Sequence, residues 1–237
     1  MNNQEHYIDA KRGFSKFMAN VYAWMAIGVL LSASVVYLLL YTYTPIANAF
    51  WNLIISTDGM AIYGFIILEL VLVFSFRFNP EKMKSPVNYA LKFITYSIVN
   101  GITISVVLLA YTTASIFNAF ISAFALFAVM SLIGFVTKKD LSSLGGILLS
   151  MLLGLIIASL VNVFFLQSGT ADFVLSIITV IIFVGLTAYD TQKCKTIYQQ
   201  FGGTAAISSI AIGCALELYL DFINLFLSLL RIFGKRR

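Results

Sequence analysis

Three long stretches of this chain contain no charged residue, and this pattern restricts its fold more than any other feature. No Asp, Glu, Lys or Arg occurs in residues 17–57, 93–137 or 141–171. Each stretch is long enough for a membrane-spanning helix of about 20 apolar residues, or for a hairpin of two such helices. A soluble chain would spread its charges over a polar surface, whereas here 60% of the residues are hydrophobic and only 11% are charged. The sequence therefore predicts an all-α, polytopic membrane protein.

Polar breaks that contain glycine, proline or charged residues divide the chain into seven apolar segments, which we predict to be seven transmembrane helices. The segments cover, to within a few residues, 20–42, 60–77, 90–110, 115–136, 144–166, 173–195 and 205–230. The first segment is too long for the apolar region of a signal peptide and is followed by no small-residue cleavage site, so we expect it to be retained. The predicted organisation is a cytoplasmic tail (1–19), a membrane domain (20–230) and a basic tail (231–237).

The positive charges predict which loops face the cytoplasm. Lys and Arg residues lie before the first segment and in or beside the loops after segments two, four and six, whereas the intervening loops carry only Asp58 and Asp172. Because cytoplasmic loops are enriched in Lys and Arg, we place the N-terminus and the even-numbered loops in the cytoplasm. The net charge of +5 reflects this sidedness, and we expect no nucleic-acid partner.

The C-terminal end conflicts with this assignment. Seven full spans place it outside, yet it carries Arg231, Lys235, Arg236 and Arg237. Either the last helix is an exception to the enrichment of Lys and Arg on the cytoplasmic side, or the last segment re-enters the membrane and returns to the cytoplasm. We favour seven spanning helices on packing grounds, while the side of the C-terminus stays open.

Two aspartates inside apolar segments are the main candidates for function. Asp190 ends the run LSIITVIIFVGLTAYD, and Asp221 lies within LELYLDFINLFLSLL. A carboxylate in hydrocarbon is costly, so we expect such a residue to face protein or water and to have a function. For Asp190, an interfacial ion pair with Lys193 is an equally good explanation. Asp221 has apolar neighbours on every side, which makes a purely structural explanation harder.

Helical geometry allows the two aspartates to meet. If the last two segments form a hairpin that turns at residues 202–203, the heights of the two acids differ by roughly 9 Å at 1.5 Å per residue, and tilt or a break near Gly213 would close that gap. Two carboxylates in contact do not both ionise readily, so they titrate as a unit and change charge with pH. Their oxygens are also ligands that Ca²⁺ prefers. Such a pair meets the requirement for a proton-gated cation path, in which Asp190 and Asp221 are candidate Ca²⁺ contacts, and we expect no bound cofactor.

Four further charged residues complete the candidate set. Glu217 lies one turn before Asp221 on the same helical face, where it either extends the acidic lining or neutralises a neighbour. Glu69 is the acid inside FIILELVLVF. We expect Glu69 to form a structural ion pair, either with Arg231 of the last segment or with Arg77, two turns along its own segment.

Several strings of the chain resemble a known family. VGLTAYDTQKCK and LELYLDFINLFLSLLRIFG, supported by NVYAWMAIGVLLSA, YTTASI and GFVTKKDLSSLGG, are similar to strings of the Bax inhibitor 1 (transmembrane Bax inhibitor motif) family, particularly its bacterial members. The similarity extends from Lys11 to the end of the chain. It implies seven helices, with the last helix central and surrounded by the other six, in a bacterial inner membrane.

The resemblance also implies roles for individual residues. Asp190 and Asp221 match the hydrogen-bonded aspartyl pair that gates a pH-sensitive Ca²⁺ leak in that family. Arg231 matches the basic residue of the last helix, and Glu69 matches its acidic partner on the second helix. Arg77 is the nearest match to the arginine that contacts the aspartyl pair, although it lies a few residues early. Glu217 stands where relatives carry a neutral residue.

Two other functions fit part of this pattern. Paired aspartates also form the catalytic centre of intramembrane aspartyl proteases, but the string LYLDF lacks the Gly-x-Gly-Asp motif of those enzymes, so we predict no enzymatic activity. A non-catalytic regulator of another membrane protein, such as a quality-control protease, would use the acidic residues structurally. The sequence does not separate this function from a leak.

Overall fold

The computed structural model describes residues 3–76 and 85–237, with side chains from Arg12 onward in these ranges. Eight α-helices follow one another: α1 (Asn3–Tyr41), α2 (Pro45–Ser56), α3 (Ala61–Ser75), α4 (Pro86–Leu108), α5 (Thr113–Val136), α6 (Ser142–Val161), α7 (Gly169–Phe201) and α8 (Ile207–Phe233). A π-helical turn, Asn162–Leu166, extends α6. Within the described ranges the only β-type pairing is an isolated bridge between Tyr111 and Arg236. The predicted all-α class is confirmed.

Six of these helices are long and apolar enough to cross a membrane: α1 over Arg12–Tyr41, α4, α5, α6 with its π-turn, α7 and α8. The predicted segment 60–77 corresponds to α3, whose 15 residues extend only about 22 Å, less than the ~30 Å of a hydrocarbon core. Helices α2 and α3 qualify only as a pair, bent by 108° at the break between them. The described chain therefore has six helices that are able to cross a membrane, or seven if the bent pair counts as one span.

Helix α2 is an element that the seven-segment interpretation missed. It begins at Pro45, after Thr44, whose hydroxyl accepts a hydrogen bond from the N–H of Ala47 at 3.2 Å. A capping threonine and a proline at the first position are typical helix starts. After α2, Asp58 and Gly59 have φ angles of 49° and 81°, a left-handed conformation that glycine and aspartate tolerate better than most residues. This turn redirects the chain into α3.

Helix α1 continues without interruption from Asn3 to Tyr41. It therefore passes through the predicted boundary between a tail (1–19) and the membrane domain. Its 39 residues extend about 58 Å, nearly twice the thickness of a ~30 Å hydrocarbon core. Part of the helix must therefore extend beyond the membrane.

The chain divides into two compact units. The N-terminal unit comprises Met1–Ala110 and Phe201–Leu216, and the C-terminal unit comprises Tyr111–Gln200 and Glu217–Arg237. In the N-terminal unit, the Ser32 hydroxyl on α1 donates to the Ser97 carbonyl on α4 at 2.7 Å. Gly101 of α4 lies so close to the Ser32 backbone that an added Cβ would collide with it. Small residues at this interface allow the two helices to approach closely.

Helix α8 is the most buried of the spanning helices. In its most apolar window 78% of the residues are buried, compared with 17% to 50% in the other five. Helix α8 is also one continuous helix over Ile207–Phe233, without the break that a re-entrant segment would need, while the side on which the C-terminus lies stays a prediction.

The C-terminal tail is held at one end of the C-terminal unit. The N–H of Thr112 donates to the carbonyl of Lys235 at 3.1 Å, and the N–H of Lys235 donates to the Ser115 hydroxyl at 2.9 Å. The tail therefore lies beside the start of α5, whereas Lys138 and Lys139 follow its other end. Positive charge is present at both ends of this unit.

Candidate functional site

Asp190 on α7 and Asp221 on α8 lie side by side in the C-terminal unit, and their side chains share a hydrogen bond. Asp190 is eleven residues before the end of α7, and Asp221 is fourteen residues after the start of α8. Counted from these helix ends, the heights of the two aspartates along the hairpin differ by about 4.5 Å. A turn at residues 202–203 predicted a larger difference, roughly 9 Å, because α8 begins only at residue 207. A break near Gly213 is not needed to bring the two carboxyl groups together.

Burial makes this pair chemically unusual. Asp190 is 9% exposed and Asp221 is 3% exposed, and Oδ2 of Asp221 has no hydrogen-bond partner among the described residues. An ionised carboxylate accepts hydrogen bonds but donates none, so a hydrogen bond between two carboxyl groups requires at least one proton. Loss of that proton would leave two anions in contact.

Lys193 and Glu217 complete the site. The Lys193 ammonium lies 2.6 Å from Oε1 of Glu217 and 3.9 Å from Oδ1 of Asp190. The shorter distance is a charge-assisted hydrogen bond, and the longer one is a weak ion pair. The sequence suggested Asp190 as the partner of Lys193, whereas the nearer carboxylate is that of Glu217 on α8. Oε2 of Glu217 is buried without a partner among the described residues.

We call Asp190, Lys193, Glu217 and Asp221 the acidic cluster. With one shared proton on the aspartates, its three carboxyl groups and one ammonium carry a net charge of one negative unit, and without the proton they carry two. No group of three or more Asp, Glu, His or Cys side chains in the described ranges is arranged to hold a metal ion. A resident Ca²⁺ would require six to eight oxygen ligands. The predicted contact of Asp190 and Asp221 with a permeant Ca²⁺ stays a prediction.

The acidic cluster lies near the end of the unit that carries the basic loop 137–141. Gln192, two residues after Asp190, accepts a hydrogen bond from the N–H of Leu141 at 2.8 Å. The Gln192 amide also donates to the carbonyl of Lys139 at 2.8 Å. The loop is thereby fixed at nearly the height of the aspartyl pair. The charge pattern predicts that this side faces the cytoplasm, and that assignment stays a prediction.

Close helix contacts position α7 around Asp190. Gly134 of α5 lies against the backbone of Ala188, and Gly145 of α6 lies against the ring of Tyr189, so a Cβ at either glycine would collide with its neighbour. Two neighbouring helices are therefore packed against the turn of α7 that precedes Asp190. Such packing restricts the movement of α7 beside Asp190.

Asp140 is the exposed carboxylate nearest in sequence to these contacts. Its Oδ1 accepts hydrogen bonds from the N–H and the hydroxyl of Ser142, at 2.9 and 2.6 Å. These hydrogen bonds lower the pKa of Asp140 below its ordinary value. Asp140 therefore remains ionised near neutral pH and does not contribute a proton switch there.

The remaining predicted residues lie elsewhere. Glu69 on α3 belongs to the N-terminal unit, where its Oε1 accepts a hydrogen bond from the Thr103 hydroxyl of α4 at 2.5 Å. Arg231 on α8 belongs to the C-terminal unit and lines a cavity there. The expected ion pair between Glu69 and Arg231 stays a prediction, and Arg77 lies outside the described residues.

Known proteins match this chain over almost all of its length. Residues 14–237 match the family described as inhibitor of apoptosis-promoting Bax1. The chain is 41% identical over 237 residues to an uncharacterized membrane protein of Streptococcus pyogenes serotype M1, covering 99% of both chains. It is 42% identical over 232 residues to the inner membrane protein YbhL of Escherichia coli K12, covering 97% of this chain and 96% of the relative. The family match includes every residue of the acidic cluster, and this multi-pass membrane protein belongs to the Bax inhibitor 1 family.

Proposed function

We propose that this protein is a pH-sensitive leak channel for Ca²⁺ or other cations in the bacterial inner membrane, with Asp190 and Asp221 as its gate. The observation that supports this most is the hydrogen bond between two buried carboxyl groups on neighbouring helices. Because the bond lies near the basic loop 137–141, which the charge pattern predicts to be cytoplasmic, we expect cytoplasmic protons to reach it. The inner-membrane location follows from the relatives, one of which is named an inner membrane protein.

The shared proton links α7 and α8 through the hydrogen bond between the two carboxyl groups. While one carboxyl group holds the proton, it donates to the other and links the two helices. When the proton leaves, two unit charges about 4 Å apart repel each other by roughly 4 kcal/mol at an effective dielectric constant of 20. At 1.36 kcal/mol per factor of ten, this changes a two-state equilibrium several-hundred-fold. The charged groups beside the pair, Lys193 and Glu217, influence the pH at which the change occurs.

The unpartnered oxygens of the acidic cluster provide the cation contacts. Oδ2 of Asp221 and Oε2 of Glu217 are buried without hydrogen-bond partners in the described part of the chain, and they lie one turn apart on α8. Buried polar atoms normally have a partner, so these two oxygens are suited to bind water or a passing cation. The Lys193 ammonium beside them opposes tight binding, which favours release of the ion.

A non-catalytic regulator of another membrane protein is the second candidate, because a buried acidic pair can also serve only to hold two helices together. An aspartyl protease is disfavoured by α8, which continues as a helix on both sides of Asp221 and therefore does not open its backbone for a substrate. The partners of the proposed leak are the lipid bilayer, protons and Ca²⁺.

Purified protein in liposomes that enclose a Ca²⁺ indicator tests the proposal without any partner protein. We expect Ca²⁺ entry that exceeds that of protein-free liposomes and that changes in a step as the pH is varied. Entry that equals the protein-free control at every pH would contradict the leak and favour the regulator. Ca²⁺ entry that exceeds the control but does not change with pH would support the leak and contradict the role of the aspartyl pair as its gate.

A further inference from the structure

A cavity of about 270 Å³ lies between α6, α7 and α8 in the C-terminal unit, and none of its lining residues belongs to the acidic cluster. Its wall is mostly apolar, with Leu152 and Leu155 from α6 and Phe183 from α7. Arg231 and the buried Ser228 of α8 add polar groups. A cavity that combines a long apolar wall with one cationic side chain is suited to a ligand of the same mixed character.

The lining changes from apolar to charged along the helix axes. Leu152 and Phe183 lie deep within their helices, whereas Val163 lies in the π-turn that ends α6 and Arg231 lies two residues before the end of α8. The eleven residues from Leu152 to Val163 extend about 16 Å along the membrane normal. A molecule in this cavity would place an anionic end near the membrane surface and an apolar end in the hydrocarbon core.

The cavity also opens toward the lipid. Ile156 is 48% exposed, Leu160 is 52% exposed and Val163 is 57% exposed, and all three line the cavity. On a spanning helix, exposed aliphatic side chains contact acyl chains rather than water. The opening therefore admits a lipid more readily than a soluble molecule.

Charge at this end of the unit is complementary to an anionic headgroup. Within the described C-terminal unit, the ion pairs are those of Lys193, and none joins Arg231 to a carboxylate of that unit. A phosphate is therefore an alternative partner of Arg231 to Glu69, the carboxylate that the sequence predicts. The basic tail, Lys235 to Arg237, is held at the same end by the hydrogen bonds of Thr112 and Ser115. The nearby acid Asp172 accepts a hydrogen bond from the Asn162 amide at 2.6 Å.

We propose that this cavity binds one anionic glycerophospholipid, with the phosphate at Arg231 and an acyl chain along the wall formed by α6 and α8. Basic pockets between membrane helices are suited to such headgroups. This lipid would also account for the positive charge at the end of the unit opposite the basic loop 137–141, which the positive-inside rule leaves unexplained.

Lipid retention by the full-length protein tests this proposal without measuring flux. The protein is placed in nanodiscs that contain equal amounts of phosphatidylglycerol and phosphatidylcholine, released, and analysed by native mass spectrometry. We expect one phosphatidylglycerol per chain to be retained in preference to phosphatidylcholine. Loss of one basic contact in Arg231→Gln should lower the retention about fivefold, whereas Arg231→Lys should largely keep it.

One matched pair of variants and one double variant of the tail show whether the lipid is bound in the cavity or at the charged surface. Ser159→Phe fills the cavity without changing any charge and should abolish retention, whereas Ile157→Phe, on α6 but outside the cavity lining, should not. The double change Arg236→Gln and Arg237→Gln should leave most of the retained lipid. Equal retention of both lipids, normal retention by Ser159→Phe, or a loss confined to the tail variant would each overturn the proposal. Each variant must elute as wild type does from a sizing column.

Discussion

Glu69 and Asp221 are both acids within apolar helices, but their surroundings differ in kind. Glu69 is half-buried, and its carboxylate accepts a hydrogen bond from the hydroxyl of Thr103 at 2.5 Å. Asp221 is 3% exposed, and its carboxyl group shares a hydrogen bond with a second acid, Asp190. A hydroxyl group does not titrate in the physiological range, whereas a second carboxyl group does.

The difference shows that the partner of an intramembrane acid indicates more about its role than its burial does. A hydroxyl partner holds Glu69 in place at any pH. A carboxyl partner holds Asp221 only while a proton is present, so the same contact becomes repulsive when the proton leaves. We therefore expect changes at Glu69 to alter stability and changes at Asp221 to alter the pH response.

The largest expected effect is that of Asp221→Asn on the pH dependence of Ca²⁺ flux. The amide of asparagine donates to an ionised Asp190 without a shared proton, so the link between α7 and α8 persists at every pH. A hydrogen bond to a charged group contributes about 1.5–3 kcal/mol, so the pH-dependent part of the flux should fall at least about tenfold. Flux into liposomes from pH 5 to pH 9 measures this, with Asp190→Asn as the companion variant.

Glu69→Gln is the matched control for that experiment. It also replaces a carboxylate by an amide within an apolar helix, but Thr103 can still donate to the amide oxygen. Its flux should follow the wild-type dependence on pH. An Asp221→Asn protein whose flux retains the full wild-type step, or a Glu69→Gln protein that loses it, would remove the distinction between the two acids.

A smaller effect is expected for Lys193→Met, which leaves Asp190 and Glu217 without their ammonium partner. Removing one partner of a fully buried ion pair costs about 3–5 kcal/mol. Because the Lys193 and Glu217 side chains are 31% and 24% exposed, solvent screening should reduce the loss of unfolding free energy to about 1–2 kcal/mol. Thermal unfolding in detergent measures it, and adding Glu217→Gln should restore part of the loss. A double variant less stable than Lys193→Met alone would contradict this pairing.

The role of Lys193 also shows what could be predicted from the sequence. The gaps between charged residues predicted the long helices, because hydrocarbon excludes charge over the length of a span. Local spacing suggested Asp190 as the partner of Lys193, since the two are three residues apart. The partner across the helices depends on register, which the sequence does not display. Once Asp190 faces Asp221 in an antiparallel pair, Lys193 must face Glu217, one turn away on each helix.

The bend between α2 and α3 could be predicted less well. Asp58 and Gly59 form a recognisable turn signal, but the residues of α2 are uncharged and continue the first apolar stretch. Apolar composition alone does not distinguish a spanning helix from a short helix that meets its neighbour at 108°. The cavity at Arg231 was also beyond sequence analysis, because a gap between three helices depends on how their side chains pack.

On the Glu69 side of the comparison, Thr103→Val should reduce stability and leave the pH response unchanged. Valine has nearly the shape of threonine but removes one of the two side-chain donors to the Glu69 carboxylate, Thr103 and Asn100, which costs about 1 kcal/mol. Thr103→Ser keeps the hydroxyl and serves as the control. The comparison is the midpoint of thermal unfolding of the three proteins, together with their flux at two pH values. A Thr103→Val protein with a displaced flux step would give Glu69 a part in gating.

The smallest expected effect is a displacement of the flux step in Glu217→Gln. This change removes a negative charge one turn from Asp221, and it releases Lys193, now 2.6 Å from Glu217 and 3.9 Å from Asp190, to approach the aspartyl pair. Both consequences favour the pair without its proton, so the proton should leave at a lower pH than in the wild type. A displacement of about half a pH unit corresponds to ~0.7 kcal/mol, a modest value because Glu217 and Lys193 neutralise each other. A step displaced to higher pH would mean that Glu217 holds Lys193 in the position where it acts on the pair.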